Sequence, residues 1–322
     1  MHSVTPPVAA RAGTTTVAVA GATGYTGQEL LRLLARHPSV QITAATSSGS
    51  TNVPARRLPA LTRVWNGTIT PLASDTLARD AELVFLALPD TAAAELAPAL
   101  VDAGVRVVDL SGAFRLRDAS ARARWYPETH RLPAGVAYGL TELERGAVEG
   151  ARLVANPGCY PTATLLALAP LVDAGLLVAG ADIIVDAKSG VSGAGKTPSE
   201  RTHFSECHGS LSAYGVFGHR HGAEIDQGVG RTVTFTPHLA RSTAASSRRS
   251  TSASRPAPRK RRLATCSSAP TAARRSCGWS DRRCRKSSTS RTRTSATSAG
   301  AWTRRGAPSW SCLLYTSDAA DE

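Results

Sequence analysis

Cys159 is the residue of this sequence best placed for covalent chemistry. It follows the turn-forming Asn156-Pro157-Gly158 and precedes Ala163-Thr164-Leu165-Leu166-Ala167-Leu168-Ala169, a run with helical character. This spacing predicts that Cys159 lies at or beside a helix N-terminus. Unpaired backbone N–H groups and the helix dipole stabilise a thiolate there. A thiolate attacks activated carbonyl carbons. The ordinary alternative is a buried structural cysteine, and Cys159 alone does not decide between them.

A second cluster, Gly218-His219-Arg220-His221-Gly222-Ala223-Glu224, brings two histidines, an arginine and a carboxylate together. No further ligands stand at workable spacing, so no metal site is expected. General acid/base work by His219 or His221, beside an anion-holding Arg220, is the functional reading; a pair of surface histidines is the bland one. Lys188-Ser189-Gly190-Val191-Ser192-Gly193-Ala194-Gly195-Lys196 is a glycine/serine loop flanked by lysines, able to offer N–H groups to an anion. It is not read as a P-loop, because no helical pattern follows Lys196-Thr197-Pro198.

These groups need a scaffold. Val17-Ala18-Val19-Ala20 has the apolar run of a buried parallel strand. It leads into Gly21-Ala22-Thr23-Gly24-Tyr25-Thr26-Gly27, and Gln28 to Ala35 has a helical pattern. Strand, glycine turn and helix form the context of a dinucleotide site, although the spacing is G-x-x-G-x-x-G. A second strand, Gln41–Thr46, ends in Ser47-Ser48 without the acid that NAD-selective folds use on the ribose. Small hydroxyls there, with Arg56 and Arg57 further on, favour NADP. Glu82 to Leu88 and Val105 to Leu110 read as further strands, placing Pro89, Ser111 and Arg115 at strand ends, where α/β folds bind ligands. Arg115 is a candidate for an anionic substrate group, with a loop arginine as its plain alternative. Ala181–Ala187 reads as a strand after Cys159.

The chain of 322 residues is long enough for two cored domains. No apolar run reaches membrane-spanning length, and Met1 to Gly13 lacks a signal-peptide core, so a cytoplasmic protein with no membrane partner is expected. Six irregularly spaced cysteines suggest neither zinc nor disulfides. The net charge of +14 is uneven. Residues 1–239 hold 20 basic and 20 acidic residues, residues 240–310 hold 18 basic and one acidic, and residues 311–322 hold three acidic and none basic.

Together these motifs resemble the N-acetyl-γ-glutamyl-phosphate reductase family. The match runs in order through the Gly21–Gly27 turn, Leu86-Ala87-Leu88-Pro89, Asp109-Leu110-Ser111 with Phe114-Arg115-Leu116, Tyr138 to Leu143, Asn156 to Thr162, Ser189 to Gly195, His219-Arg220-His221 and Thr234 to Leu239. It covers roughly residues 15–239; Asp90 stands where the family usually has His, and Gly112-Ala113 replaces the commoner Ala-Asp. The resemblance implies an α/β protein: a Rossmann-type NADP-binding domain over residues 15–158, after a flexible start at 1–14, and part of an α+β substrate and dimerisation domain over 159–239. It implies NADPH-dependent reduction of an acyl phosphate through a thioester on Cys159, with His219 or His221 moving the proton. For NADP(H) it assigns Gly21, Thr23, Gly24, Tyr25, Thr26, Gly27, Ser47, Ser48, Pro89, Ser189 and Gly190. For substrate it assigns Ser111, Arg115, Asn156, Arg220 and Glu224. It also implies a homo-oligomer, dimer or tetramer. The alternative within the class is an aspartate-semialdehyde dehydrogenase; from another class, a nucleic-acid-binding protein with a basic tail.

Residues 240–310 contain no Val, Ile, Phe, Tyr or Met, a single Leu (Leu263), 16 Ser and 9 Thr. Such a segment cannot bury enough apolar area to fold and reads as a disordered basic tail. With Trp279, Trp302 and Trp310 as its only aromatics, it is poorly equipped to stack bases, and no nucleic-acid partner is expected. A shifted reading frame accounts for it better. If each true codon takes the third base of one written codon and the first two of the next, Ser242 through Ser254 permits (I/L/V)-(D/N)-R-G-I-L-A-T-V-Y-V-R-L. Thr292 through Ser298 permits N-T-N-F-C-D-I. Both continue the family's pattern. Residues 311–322 resemble the translation of a sequencing-library adaptor, which would replace the natural C-terminus.

Overall fold

The computed structural model describes residues 13–47 and 57–240, and beyond them, by backbone alone, the strands at 246–252, 296–302 and 308–314. Ser48 and Arg56 lie outside the described residues. The described residues divide into two units: one comprises those up to Cys159 together with Ser192–Thr202, the other Tyr160–Val191 and those from His203 on.

The first unit alternates strands and helices: β1 (Thr15–Ala20), α1 (Tyr25–Leu34), β2 (Val40–Thr46), α2 (Ser74–Asp80), β3 (Leu83–Leu86), α3 (Asp90–Asp102), β4 (Arg106–Asp109), α4 (Ala119–Trp125), β5 (Ala137–Tyr138), α5 (Thr141–Gly150) and β6 (Leu153–Ala155). The strands form one sheet in the order β2-β1-β3-β4-β6-β5, with every pairing parallel. Parallel strands covered on both faces read as continuous apolar runs, and Val17 to Ala20 are fully buried. Ala18 and Ala20 pack with Val84, Leu86 and Val107. Val19 packs instead with Ala45 and Leu31. Alternate residues of β1 thus feed two cores.

The second unit contains α6 (Cys159–Asp173, its first residue being the last of the first unit), β7 (Ile183–Gly190), α7 (Phe204–Cys207), β8 (Leu211–Ala213), α8 (Arg220–Val229), β9 (Thr234–Ala240), β10 (Ser246–Ser252), β11 (Ala296–Trp302) and β12 (Pro308–Leu314). Its sheet runs β11-β12-β10-β7-β9-β8, parallel between β7 and β9 and antiparallel elsewhere. Along β7, Ile183, Val185 and Ala187 are buried while Ile184 is exposed, the period-two pattern of a sheet with one packed face. A methyl group on Gly228 of α8 would lie 2.5 Å from both terminal carbons of Leu165 of α6, so these helices meet at van der Waals distance.

The α/β reading holds, with two differences. Ser192–Thr202 groups with the first unit although its flanks belong to the second. The stretch read as a disordered tail contributes β10, β11 and part of β12 to the second sheet. Composition could not announce β10, because none of the apolar residues that mark a strand is written there.

Candidate functional site

In the first unit the candidate residues gather at the carboxyl ends of the parallel strands. Gly21 ends β1 with φ +83°, and a Cβ there would stand 1.9 Å from the Ala87 carbonyl oxygen. Gly24 is the N-cap of α1. A Cβ on Gly27 would stand 2.3 Å from the Gly21 oxygen, so the glycine lets the first turn of α1 sit on the chain that precedes it. Ala22 N–H donates to Thr46 O at 2.8 Å and Ala87 N–H to Ala20 O at 2.9 Å, fixing the turn between β2 and β3. The Thr23 carbonyl accepts from Gln28 Nε2 at 2.8 Å and from Lys196 Nζ at 3.3 Å. Thr26 is buried, and its hydroxyl has no hydrogen-bond partner among the described residues. A bare, tightly packed backbone at a helix N-terminus, with a spare hydroxyl, fits a dinucleotide pyrophosphate. Tyr25 is exposed, Ser47 is buried with its amide on Thr70 O, Pro89 caps α3, and Arg57 is exposed.

At the end of β4 the structure adds a residue to which the sequence reading gave no role. Asp109 is buried, and it accepts from Ser111 N–H at 3.0 Å and from Ser111 Oγ at 2.7 Å. Burial pushes its carboxyl up to about 6, against the two Ser111 bonds, which act to lower it. Asp90 Oδ1 accepts from Gly112 N–H at 2.6 Å. Arg115, only 1% exposed, donates from Nε to Asn156 O at 2.7 Å and from its guanidinium to Leu110 O at 2.8 Å. Asn156 N–H in turn donates to Asp109 O at 2.7 Å. Arg115 thus braces the chain leading to Cys159, a role not anticipated from its position after a strand. Cys159, half-buried and reduced, is the first residue of α6, as its turn and helix signals predict.

In the second unit Ser189 and Gly190 close β7, both buried, with Ser189 Oγ directed at Gly190 O. Lys188 is ion-paired with Asp186 of the same strand, so part of its charge is met locally. His219 is the N-cap of α8, its Nδ1 accepting from His221 N–H at 3.1 Å. Arg220 is half-buried, while His221 and Glu224 are each 1% exposed. Tyr160 and Tyr214, both missed by the sequence reading, pack their rings on His219. The signal that could have flagged Tyr160 was its place directly after Cys159. Among the described residues no cluster of three metal-ligating side chains occurs, and no helix is long and apolar enough to cross a membrane.

Residues 16–151 match the NAD-binding domain of semialdehyde dehydrogenases, and residues 159–248 match the dimerisation domain of the same enzymes. Fold and site together define an oxidoreductase of the semialdehyde dehydrogenase class. Solved structures share the fold. Aspartate semialdehyde dehydrogenase II from Vibrio cholerae, complexed with ASA, superimposes with a TM-score of 0.64 at 15% identity over 95% of both chains. The Candida albicans enzyme with NADP gives 0.61 at 14% identity, again over 95% of both. In sequence the chain is 46% identical to the N-acetyl-gamma-glutamyl-phosphate reductase of Halorhodospira halophila over 233 residues, covering 69% of this chain and 67% of that one. It is 44% identical to that of Laribacter hongkongensis over 232 residues, covering 69% and 68%. The chain belongs to the N-acetyl-gamma-glutamyl-phosphate reductase family. The aspartate-semialdehyde alternative is shared fold without comparable sequence identity.

Proposed function

We propose that Cys159 carries the reduction of N-acetyl-γ-glutamyl phosphate to the semialdehyde as a thioester, at a site that takes NADP(H). The Cys159 thiolate attacks the acyl carbon, the bond to the phosphate oxygen breaks, and inorganic phosphate leaves with its electron pair. NADPH, when held at the Gly21–Gly27 turn, would supply the hydride equivalent that reduces the thioester carbon. The tetrahedral thiohemiacetal then releases the aldehyde, and the C–S electron pair returns to Cys159. Sulfur suits this role as both nucleophile and leaving group near neutral pH. The Gly21–Gly27 turn with Thr26 would hold the pyrophosphate, and the missing acid after β2 favours the 2′-phosphate form. Arg220 and Glu224 are candidates for the substrate's polar groups. The match to a dimerisation domain supports a homodimeric or larger assembly, and we infer that the reaction takes place in the cytoplasm.

The observation that carries this reading is Cys159 as the first residue of a 15-residue helix, directly after Asn156-Pro157-Gly158. Phosphate-dependent NADP reduction with the semialdehyde tests it. In the protein with its reading frame restored, Cys159→Ser should lower turnover on the order of 10³-fold or more, and turnover retained in that variant removes the covalent mechanism.

We further infer that the written residues 240–310 are an out-of-frame reading of the same domain. β10 is an interior strand, hydrogen-bonded to β7 on one side and β12 on the other, yet its sequence is Ser-Ser-Arg-Arg-Ser-Thr-Ser. The shifted frame permits I-L-A-T-V-Y-V over those same seven positions. An interior strand needs such apolar residues to pack a face. Sequencing the DNA around the codons for Leu239 to Ser242 checks it, and an uninterrupted frame there refutes it.

A further inference from the structure

The His219 imidazole sits inside a box of rings. Its centroid lies 4.7 Å from His221, 5.4 Å from Tyr214, 5.5 Å from Phe235 and 5.9 Å from Tyr160, all at steep interplanar angles. Tyr160 is the hub of this box. It is 2% exposed, its ring meets Phe235 at 5.3 Å and His221 at 5.8 Å, and its hydroxyl donates to His238 O at 3.2 Å while accepting from Tyr214 Oη at 3.1 Å. One side chain thus touches three members of the box by its ring and is bonded to a fourth by its hydroxyl.

Histidine χ2 is a soft, roughly two-fold torsion, so packing has to select the ring orientation. Here Nδ1 accepts the His221 amide that caps α8. An accepting nitrogen carries a lone pair, which in the neutral ring puts the proton on Nε2. A ring flip would exchange Nδ1 for a carbon and lose the cap. Edge-to-face neighbours on several sides oppose that flip.

We propose that Tyr160 is a positioning residue that holds His219 in one orientation and in the Nε2–H tautomer, making Nε2 the atom through which the site handles protons. This rests on the reading of a histidine as the proton carrier, and it selects His219. His221 contributes its backbone amide and a buried ring. Tyr160 touches no reacting atom in this scheme; it acts through His219.

The test uses the full-length protein with its reading frame restored, carrying Tyr160→Phe or Tyr160→Leu. Imidazole ¹⁵N shifts, with the His219 signals assigned by a His219→Gln variant, report the tautomer whether or not the protein turns over. The parent should show His219 as Nε2–H. The Leu variant should show a mixture of tautomers, and the Phe variant, which keeps the ring and loses the hydroxyl, should fall between. In turnover, kcat should drop roughly tenfold to a hundredfold in the Leu variant with KM little changed, and Phe should recover part of the loss. An Nδ1–H tautomer in the parent, or a tautomer unmoved by both substitutions, overturns the proposal. Turnover that survives Cys159→Ser sinks the covalent reading while leaving the tautomer result standing, so the two failures are told apart.

Discussion

Asp109 places a titrating carboxyl inside the first unit. Its ordinary value near 3.8 is raised to about 6 by burial at the end of β4. Between about pH 4 and 6 the folded chain therefore holds a proton at this position that the unfolded chain has released. The contribution to stability is full below that window and is lost as pH rises through about 6. The loss is on the order of 3 kcal/mol. Asp109→Asn has no carboxyl to titrate. Urea unfolding at pH 4.5 and 7.5 should show the variant lacking this part of the wild-type slope, and equal slopes would refute the assignment. Cys159 was legible in the sequence because a turn and a helix start are local signals. Asp109 and Tyr160 were not, since their roles come from what the fold packs around them: Ser111 for the one, the His219 box for the other.

The glycine turn shows how an element can be set by single atoms. Gly21 combines a left-handed φ with a backbone oxygen 1.9 Å from any added Cβ. Gly21→Ala should cost about 2–5 kcal/mol, from backbone strain and from the forced separation of β1 and β3. Gly146 of α5 is exposed and has nothing within 4 Å of an added Cβ, so Gly146→Ala should be neutral or stabilising by up to about 1 kcal/mol. Chemical denaturation of both variants checks the contrast, and similar effects at the two sites would contradict it. The strands of the first unit were legible because burial on both faces writes an unbroken apolar run, as in Val17 to Ala20. Their ends moved by a residue or two; β1 begins at Thr15, where hydrogen bonding outruns the apolar pattern. The membership of Ser192–Thr202 in the first unit was not legible, because it depends on docking such as the Lys196 bond to Thr23 rather than on local pattern.

For the molecule as a whole, charge and sheet order disagree about one region. The first 239 residues are balanced, and the excess positive charge lies in the stretch that supplies β10 and β11. Two adjacent arginines, Arg248 and Arg249, occupy the interior strand β10, which is paired on both sides. Restoring the frame replaces them with residues able to pack. The restored protein should melt at a higher temperature than the written chain and show phosphate-dependent NADP reduction that the written chain lacks. Equal melting and equal activity would refute the frame inference while leaving the family assignment intact. The family was legible in residues 15–239 because the turn before Cys159, the glycine turn and the histidine cluster each keep their own local context. The remainder was legible only as codons.

The path of the chain through the two units has a practical consequence. It changes unit after Cys159, again after Val191, and again after Thr202. No single cut can therefore release either half intact. A fragment ending at Cys159 leaves behind the segment whose Lys196 reaches the Thr23 carbonyl, and one beginning at Tyr160 carries that segment as a stranded loop. Exchange of halves between related enzymes would need three matched crossovers, so the two units are expected to be inherited, and to vary, together.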